Sequence, residues 1–165
     1  MRMLYLFGIH LYNLIIWLAS FFHEKARLLR NGRQRTWQQL RDHKPEGPVV
    51  WFHCASLGEF EQGRPVIEEI KNSHPEKKIV LTFFSPSGFE IRKDYAYADL
   101  VLYLPSDTPR NARRFVETLQ PEMAVFVKYE FWAFYFRVLE GKNIPLYSIS
   151  AIFRHQQIFF KWYGA

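Results

Sequence analysis

The chain has 165 residues and a formal net charge of +6, with 48% hydrophobic and 18% aromatic residues. This length gives about one domain with a substantial core, and the basic balance favours anionic partners such as acidic lipid, phosphate or nucleic acid. The aromatic content fits a protein that meets lipid, or equally a core rich in Phe. A single cysteine, Cys54, excludes an internal disulfide framework and suggests a reducing compartment. It lies in an apolar run, which favours a buried side chain over a reactive thiol.

Residues 3–22 form a mostly apolar segment of about twenty residues, the length that crosses a hydrocarbon core of roughly 30 Å. No small-residue cleavage site follows, so a cleaved signal peptide is not expected. A semi-polar stripe recurs at three- or four-residue spacing and consists of His10, Asn13, Trp17 and Ser20. The stripe leaves three arrangements open, namely a single span, a helix lying in the membrane interface, or a buried N-terminal helix.

A cluster of basic residues follows this segment directly and consists of Lys25, Arg27, Arg30, Arg33 and Arg35. By the positive-inside rule the rest of the chain then faces the cytoplasm, and the cluster attracts anionic phospholipid. The sequence therefore predicts a membrane-anchor helix over residues 1–24, a basic juxtamembrane linker over 25–47 and an α/β domain over 48–165. Basic residues are not interleaved with aromatic residues on a recognisable nucleic-acid module, so no nucleic acid is expected as a partner.

From residue 48 onward the pattern alternates between strands and helices. Apolar runs predict five strands at residues 49–55, 78–84, 100–104, 123–127 and 145–150. Helices are predicted at 60–72, around Ile91 after a turn at 85–88, after a cap at Asp107 or Thr108, and at 131–139. This alternation indicates a doubly wound parallel sheet.

Helical spacing also predicts which side chains face the core. In the first helix of the α/β domain, Val66, Ile67 and Ile70 are expected to point inward. In the helix that follows the Asp107 or Thr108 cap, the inward residues are expected to be Phe115 and Leu119.

Several familiar sites are missing from the sequence. No Gly-rich dinucleotide fingerprint follows the first strand, where Gly58 stands alone, and no phosphate-binding loop ends in Lys-Ser or Lys-Thr. No acidic pair or His/Cys cluster has metal-ligand spacing, so neither a metal nor another cofactor is expected. A flavodoxin-like nucleotide-binding module on a membrane tether stays an alternative without a phosphate loop to support it.

Polar residues cluster where the predicted strands end. The set consists of Ser56, Gly58 and Glu59 after strand one, Ser85, Ser87 and Gly88 after strand two, Ser106 and Asp107 after strand three, Lys128, Tyr129 and Glu130 after strand four, and Ser150 and Arg154 after strand five. In a parallel sheet these sets share one edge, where open α/β folds bind ligands. Glu59 and Glu130 are the main candidates for chemistry. The alternatives are that Glu59 merely complements a helix dipole, and that Glu130 forms a structural ion pair with Lys128 or Arg154.

Five short motifs, in this order, resemble the 3-deoxy-D-manno-octulosonic acid (Kdo) transferases of lipopolysaccharide synthesis. They are HCASLGE at 53–59, TFFSPSG at 82–88, YLPSDTP at 103–109, KYEFW at 128–132, and SA at 150–151 ahead of Arg154. The apolar N-terminal segment with its basic flank is also similar to the family's membrane anchor. The resemblance covers essentially the whole chain.

The resemblance implies a GT-B architecture, in which two Rossmann-like domains face each other across a cleft. This chain would supply the N-terminal, acceptor-binding half, and most donor contacts would lie in a C-terminal domain beyond residue 165. The implied reaction is an inverting, metal-independent transfer of Kdo from CMP-Kdo to the lipid A precursor lipid IVA, at the cytoplasmic face of the inner membrane. The other possibility is a non-catalytic, membrane-bound remnant that binds the acceptor without transfer.

The resemblance also implies roles for individual residues. Glu59 would be the general base that takes the proton of the attacking hydroxyl, and its position at a helix start would keep it ionised. Acceptor binding would involve Ser56, Gly58, Ser85, Ser87, Gly88, Lys128, Glu130 and Arg154. An anchor that holds the cleft at the bilayer raises the local concentration of an acylated acceptor. The expected partners are therefore the lipid A precursor, CMP-Kdo and anionic inner-membrane lipid.

Overall fold

The computed structural model of the protein describes residues 2–128 and 132–151. Its elements, in chain order, are α1 (Arg2–Ala19), α2 (Glu24–His43), β1 (Val49–Cys54), α3 (Leu57–Ser73), β2 (Lys78–Phe83), α4 (Pro86–Arg92), β3 (Leu100–Tyr103), α5 (Pro109–Leu119), β4 (Met123–Val127), α6 (Ala133–Gly141) and β5 (Leu146–Ile149). Each predicted strand is present, with bounds that differ by at most two residues from the expectation at either end.

The five strands form one parallel sheet in the order β3-β2-β1-β4-β5. The strand order reverses between β1 and β4, because the chain builds outward from β1 on one side and continues through β4 on the other. The predicted doubly wound α/β class is therefore confirmed. In such folds the crevice at the point of reversal, beyond the carboxyl ends of the strands, is where ligands bind.

Two apolar layers cover the sheet. One contains Trp51, whose ring centroid lies 5.1 Å from that of Phe115 and 5.5 Å from that of Tyr135, so this layer joins β1 to α5 and α6. The other contains Phe60 and Ile67 of α3 packed on inward side chains of β1 and β2. Because both faces of the sheet are covered, the strands carry near-continuous apolar runs, and these runs allowed the strands to be predicted from the sequence.

The predicted inward residues of the helices are mostly confirmed. Phe115 and Leu119 are fully buried, and so is Ile67, while Ile70 is partly buried against the core. The expectation for Val66 is wrong, since its side chain is 37% exposed. Each helical residue turns about 100° from the one before it, so the position next to the buried Ile67 already faces solvent.

Cys54 and the turn at 85–88 also have definite places in the fold. Cys54 is fully buried, as its apolar surroundings in the sequence predicted. Within the predicted turn, Ser85 caps α4 and Pro86 begins it, so Ser87 and Gly88 belong to the first turn of a helix. Proline is well suited to this first helical position, because the missing N–H would have no partner there.

Most of the segment expected as a linker forms helix α2, which packs on the sheet. Thr36 and Leu40 are fully buried, and the Thr36 hydroxyl donates a hydrogen bond of 2.7 Å to the Tyr103 carbonyl in β3. A Cβ built on Gly32 would overlap the Tyr103 ring, so glycine allows this close approach of α2 to β3. Helix α2 is therefore part of the packed body of the protein.

Helix α1 presents two different faces. Tyr5 and Leu6 pack against the core, and Tyr12 stacks on Phe84 with ring centroids 5.8 Å apart. The other face exposes large apolar side chains, namely Met3, Leu4, Phe7, Leu11, Leu14, Ile15 and Leu18. Within α1, all of which the structure describes, no residue is buried, which argues against the buried N-terminal helix. The helix is long and apolar enough to cross a membrane by length and composition, with a mean hydropathy of 1.3.

Candidate active site at the carboxyl edge of the sheet

The polar residues that follow the strands do share one edge of the sheet, as the sequence predicted. Ser56 follows β1, Ser85 follows β2, Ser106 follows β3 and Lys128 follows β4, and all four strands are parallel. Three further members of the predicted set lie outside the described residues: Tyr129, Glu130 and Arg154. Their roles stay predictions.

Glu59 lies in the first turn of α3, directly beyond β1 at the point where the strand order reverses. Ser56 is the N-cap residue with an extended backbone, φ −142° and ψ 172°, and Glu59 is the third helical residue. From there the carboxylate reaches back and accepts a hydrogen bond from the Ala55 N–H. Burial raises the pKa of Glu59, and the bonds from the backbone at Ala55 and Ser56, together with the charge of Lys128, act in the opposite direction.

The start of α3 also offers hydrogen-bond donors to a ligand. The first bond within the helix runs from the Phe60 N–H to the Ser56 carbonyl at 3.0 Å, and the N–H groups before it have no acceptor inside the helix. Gly58 is exposed, and a Cβ built on it would meet nothing within 4 Å. Among the described residues, the Ser56 hydroxyl caps no N–H of α3. This turn can therefore bind an anionic or hydroxyl-bearing ligand.

Lys128 follows β4, the strand next to β1, and its backbone is held in an unusual conformation. Its φ of 63° lies in the left-handed region, which costs free energy for a residue with a side chain. The conformation is fixed from both sides, since the Lys128 N–H donates to the Ile149 carbonyl at 2.8 Å and its own carbonyl accepts from the Ser148 hydroxyl at 3.2 Å. The ammonium group on this residue is close enough to Glu59 to oppose the rise in its pKa.

The start of α4 lies beside the start of α3. The Ser85 N–H donates to the Ala55 carbonyl at 2.8 Å, and the Ser85 and Ser87 hydroxyl oxygens are 2.9 Å apart. Gly88 is buried, a Cβ on it would overlap the Phe83 ring, and its N–H donates to the Ser85 carbonyl at 3.2 Å. Gly88 therefore allows the two helix starts to pack closely, and substrate contact by Gly88 stays a prediction.

Asp107 has a structural role that the sequence only partly indicated. The cap of α5 is Thr108, whose hydroxyl accepts from the Asn111 N–H at 3.3 Å. The Asp107 carboxylate is fully buried and instead caps α6, accepting from the N–H groups of Phe134 at 3.2 Å and Tyr135 at 3.1 Å. No local signal could have shown this, because the capped helix begins more than twenty residues later in the chain.

The guanidinium group of Arg33 has buried nitrogens, although the sequence placed this residue in the basic cluster expected to attract anionic phospholipid. Its Nη1 donates to the Ser106 hydroxyl at 3.2 Å, and its guanidinium carbon lies 4.8 Å from the Phe84 ring centroid. Two other guanidinium nitrogens are buried without a hydrogen-bond partner among the described residues. Burial lowers the pKa of Arg33. The buried atoms are closed to solvent, so Arg33 belongs to the packing beneath α1.

His53 and Trp132 form an aromatic wall between the start of α3 and the polar residues beneath α1. The His53 ring is fully buried, its Nδ1 lies 2.9 Å from the Thr82 hydroxyl oxygen, and burial lowers its pKa to about 3. The Trp132 ring centroid is 5.3 Å from that of His53 and 5.3 Å from that of Phe84. His53 is therefore uncharged at neutral pH and takes part in packing.

Within residues 2–128 and 132–151, no group of three His, Cys, Asp or Glu side chains has a metal-binding arrangement. The charged pair that the reversal point brings together is Glu59 and Lys128, flanked by the hydroxyls of Ser56, Ser85 and Ser87. A partly desolvated carboxylate beside open N–H donors can accept a proton from a bound hydroxyl group.

A protein-family model described as 3-Deoxy-D-manno-octulosonic-acid transferase (kdotransferase) matches residues 27–162, which is most of the chain. The chain belongs to this family. Similar curated proteins include the 3-deoxy-D-manno-octulosonic acid transferase of Aquifex aeolicus, 38% identical over 51% of this chain and 23% of the relative. The protein of the same name in Haemophilus influenzae is 31% identical over 65% of this chain and 25% of the relative.

A further relative is the probable mitochondrial 3-deoxy-D-manno-octulosonic acid transferase of Arabidopsis thaliana, 29% identical over 66% of this chain and 24% of the relative. This chain therefore spans about a quarter of the length of the curated relatives it matches. The family and the glycosyltransferase class are established by these matches, and the resemblance of the five motifs is confirmed.

Proposed function

We propose that the protein transfers Kdo from CMP-Kdo to the lipid A precursor lipid IVA, with inversion and without a metal, and that this chain is its acceptor-binding portion. The observation that carries the proposal is the place of Glu59: half-buried, at the point of strand reversal, and next to open donors of α3. Family membership supplies the chemical class, and the half-buried carboxylate of Glu59 at the edge where such folds bind ligands supports its proposed role as the base.

The chemical step requires a general base, a group that accepts the proton of the attacking hydroxyl. A hydroxyl of the acceptor's glucosamine backbone attacks the anomeric carbon of Kdo, the bond to CMP breaks, and Glu59 accepts the hydroxyl proton. The raised pKa of Glu59 makes its carboxylate a better proton acceptor than a fully solvated one. The charge of Lys128 opposes that rise and so favours the ionised carboxylate.

The surrounding donors fit an acceptor that carries phosphate and sugar hydroxyls. The first N–H groups of α3, around Gly58, favour a negative charge through both hydrogen bonding and the helix dipole. Ser56, Ser85 and Ser87 add hydroxyls on the same edge, and Lys128 adds a cation. Gly88 supports this arrangement by packing, and Glu130 and Arg154 are proposed as further acceptor contacts on the basis of the family motifs alone.

Attachment to the membrane is the second part of the proposal. The apolar face of α1 is exposed along the length of the helix, which suits burial in lipid, and its other face is occupied by the protein body. A cavity of about 400 Å³ beside the start of α1 is lined by four cations, Arg2, Arg113, Arg137 and Lys142, and by the carboxylate of Glu117, which lies 3.3 Å from the Lys142 ammonium. These cations, with exposed Lys25, Arg27 and Arg35, fit the anionic lipid of the inner membrane at its cytoplasmic face.

The two candidate functions, Kdo transfer and acceptor binding without transfer, differ in one observable, which is the formation of a Kdo-extended product. The complete protein would be purified in lipid nanodiscs and supplied with CMP-Kdo and lipid IVA, and Kdo transfer would be followed by mass spectrometry. The proposal predicts a Kdo-extended product that forms without added metal and in the presence of a chelator. Binding of lipid IVA without product would contradict transfer and favour the non-catalytic acceptor-binding domain. Faster turnover with acylated than with deacylated acceptor would support the role of α1.

A further inference from the structure

The Asp107 carboxylate joins three elements that are far apart in the sequence. Its Oδ2 accepts a hydrogen bond of 2.6 Å from the Tyr5 hydroxyl in α1, across 102 residues of chain. The same carboxylate accepts from the N–H groups of Phe134 and Tyr135 at the start of α6. Asp107 itself lies between β3 and α5 and is fully buried. A buried carboxylate in this position needs all of these donors, because an ionised group without partners is costly away from water.

Asp107 caps the start of α6 from outside that helix. Trp132 occupies the N-cap position, and it makes no side-chain cap hydrogen bond within the described residues. The negative charge of Asp107 fits the positive end of the helix dipole. Trp132 in turn packs on His53 of β1, so the place where α6 begins also sets one wall of the carboxyl edge.

A second contact joins α1 to the same connection between β3 and α5. The Ser106 hydroxyl donates to the Asn13 side-chain oxygen in α1 at 2.7 Å and accepts from Arg33 at 3.2 Å. Two neighbouring residues, Ser106 and Asp107, thus hold α1 at two points that are eight residues, or about two helical turns, apart. The polar contacts fix both the rotation and the position of α1 on the body of the protein.

We propose that Asp107 is a positioning residue that couples the placement of α1 to the start of α6, and through it to the site. Contact between the apolar face of α1 and a membrane then bears on the geometry around Trp132, where α6 begins. The catalytic consequence rests on the proposed transfer function, whereas the structural coupling does not. The coupling makes α1 a component of the site in addition to an anchor.

The test removes the hydrogen bond between Tyr5 and Asp107 and leaves the Asp107 cap of α6 in place. Tyr5→Phe deletes the hydroxyl that binds Asp107 and keeps the ring that packs in the core. A matched control is Tyr95→Phe, which deletes a hydroxyl bonded to the Glu68 carboxylate at 3.0 Å on the other face of the sheet. Both variants would be made in the complete protein in nanodiscs. Backbone hydrogen exchange at Phe134 and Tyr135 is the first readout, because it does not depend on turnover.

Tyr5→Phe is expected to speed exchange at Phe134 and Tyr135 by about tenfold, the size of one lost hydrogen bond to a charged group. The control is expected to leave these two amides unchanged. In a transfer assay Tyr5→Phe is expected to raise the KM for the acceptor while kcat stays constant, since the proposed acceptor contacts Lys128 and Glu130 directly precede α6 in the sequence and Glu59 is untouched. Asp107→Asn, which keeps an acceptor oxygen for α6 but loses the charge, is expected to change exchange in the same direction.

The outcomes of these experiments distinguish the structural coupling between α1 and α6 from the proposed transfer function. Unchanged exchange at Phe134 and Tyr135 in Tyr5→Phe would overturn the coupling, whatever the activity and whatever the result for Asp107→Asn. Faster exchange in a protein whose wild type transfers no Kdo would retain the coupling and remove the proposed function. An active wild type in which Tyr5→Phe lowers kcat at constant acceptor KM would overturn the positioning role, because the effect would then not act through the acceptor contacts that precede α6.

Discussion

The carboxyl edge of the sheet has a covered part and an open part, and both are rich in polar residues. In the covered part, beneath α1, Arg33 donates to Ser106 and Asp107 caps α6, and the Asp107 carboxylate and two guanidinium nitrogens of Arg33 are closed to solvent. In the open part, at the start of α3, Gly58 is exposed and the Ser56 hydroxyl caps no N–H among the described residues. The same residue types on the same edge therefore serve packing in one place and leave free donors in the other.

The two parts also differ in how they hold charge. The covered part buries a carboxylate and a guanidinium whose pKa values burial moves in opposite directions, raising that of Asp107 and lowering that of Arg33. The open part holds Glu59 half-buried, with Lys128 moderating its pKa. Availability to a ligand, more than residue type, is what distinguishes a candidate site from a polar core.

The largest expected effect concerns the packing of α2 in the covered part. Gly32→Ala is expected to lower the free energy of unfolding by roughly 1–3 kcal/mol, because the new methyl group would overlap the Tyr103 ring. Gly8→Ala in α1 is the matched control: nothing lies within 4 Å of its Cβ position, so alanine is expected to raise helix stability by up to about 1 kcal/mol. Urea unfolding of both variants measures the difference, and equal effects would contradict the close approach of α2.

The buried His53 gives a pH-dependent test of the wall between the two parts. The folded-state pKa is about 3 and the model-compound value is 6.5, so below pH 6.5 the unfolded chain binds a proton that the folded chain does not. Stability from this residue is present above pH 6.5 and is lost as pH falls toward 3, by about 1.4 kcal/mol per pH unit. The raised pKa values of Glu59 and Asp107 act with the opposite sign.

Comparison with His53→Gln isolates the contribution of the histidine, because both proteins keep the same carboxylates. The difference in unfolding free energy between wild type and variant is expected to shrink as pH falls from 6.5. A difference that stays constant over this range would show that His53 is not buried in its neutral form.

The fold was predictable to the extent that its signals are local. The strands follow near-continuous apolar runs, and the turn of small residues before Glu59 places that carboxylate at a helix start. The burial of Arg33 and the cap of α6 by Asp107 depend on partners 73 and 27 residues away. A run of basic residues is also explained by contact with solvent or lipid, and an Asp before a helix is also explained as the cap of that helix. The sequence therefore could not reveal the burial of Arg33 or the capping of α6 by Asp107.

A smaller effect on the free energy of unfolding distinguishes Thr108, whose hydroxyl caps α5, from Ser56, whose hydroxyl caps no described N–H of α3. Thr108→Ala removes the hydroxyl that accepts from the Asn111 N–H and is expected to cost about 1 kcal/mol of unfolding free energy. Ser56→Ala removes a hydroxyl that caps no described N–H of α3, so its expected cost is below about 0.5 kcal/mol. In the transfer assay the order is expected to reverse, with the larger loss for Ser56→Ala. Equal stability losses would show that the Ser56 hydroxyl is engaged in the fold.

The smallest expected effect is a displacement of the pH profile. Lys128→Gln removes the charge that opposes the rise in the pKa of Glu59, so the acid limb of kcat is expected to move to higher pH. The sign follows because only the ionised carboxylate accepts a proton, and a higher pKa requires a higher pH for ionisation. Lys93→Gln, whose partner is Glu90 at 3.6 Å, is the control and is expected to leave the limb in place. A shift to lower pH would contradict the pairing of Lys128 with Glu59.

The most direct test of the central claim is the transfer rate of Glu59→Gln in the complete protein, measured in nanodiscs with CMP-Kdo and lipid IVA. The glutamine keeps the shape of the side chain and removes the proton acceptor, so the rate is expected to fall by about 10²–10⁴-fold while the protein stays folded. Glu61→Gln, two residues further along α3, loses ion pairs with Arg64 and with Arg92 of α4 and is expected to retain near wild-type turnover. Wild-type turnover in Glu59→Gln would contradict its role as the base and the assignment of the open part of the edge as the site.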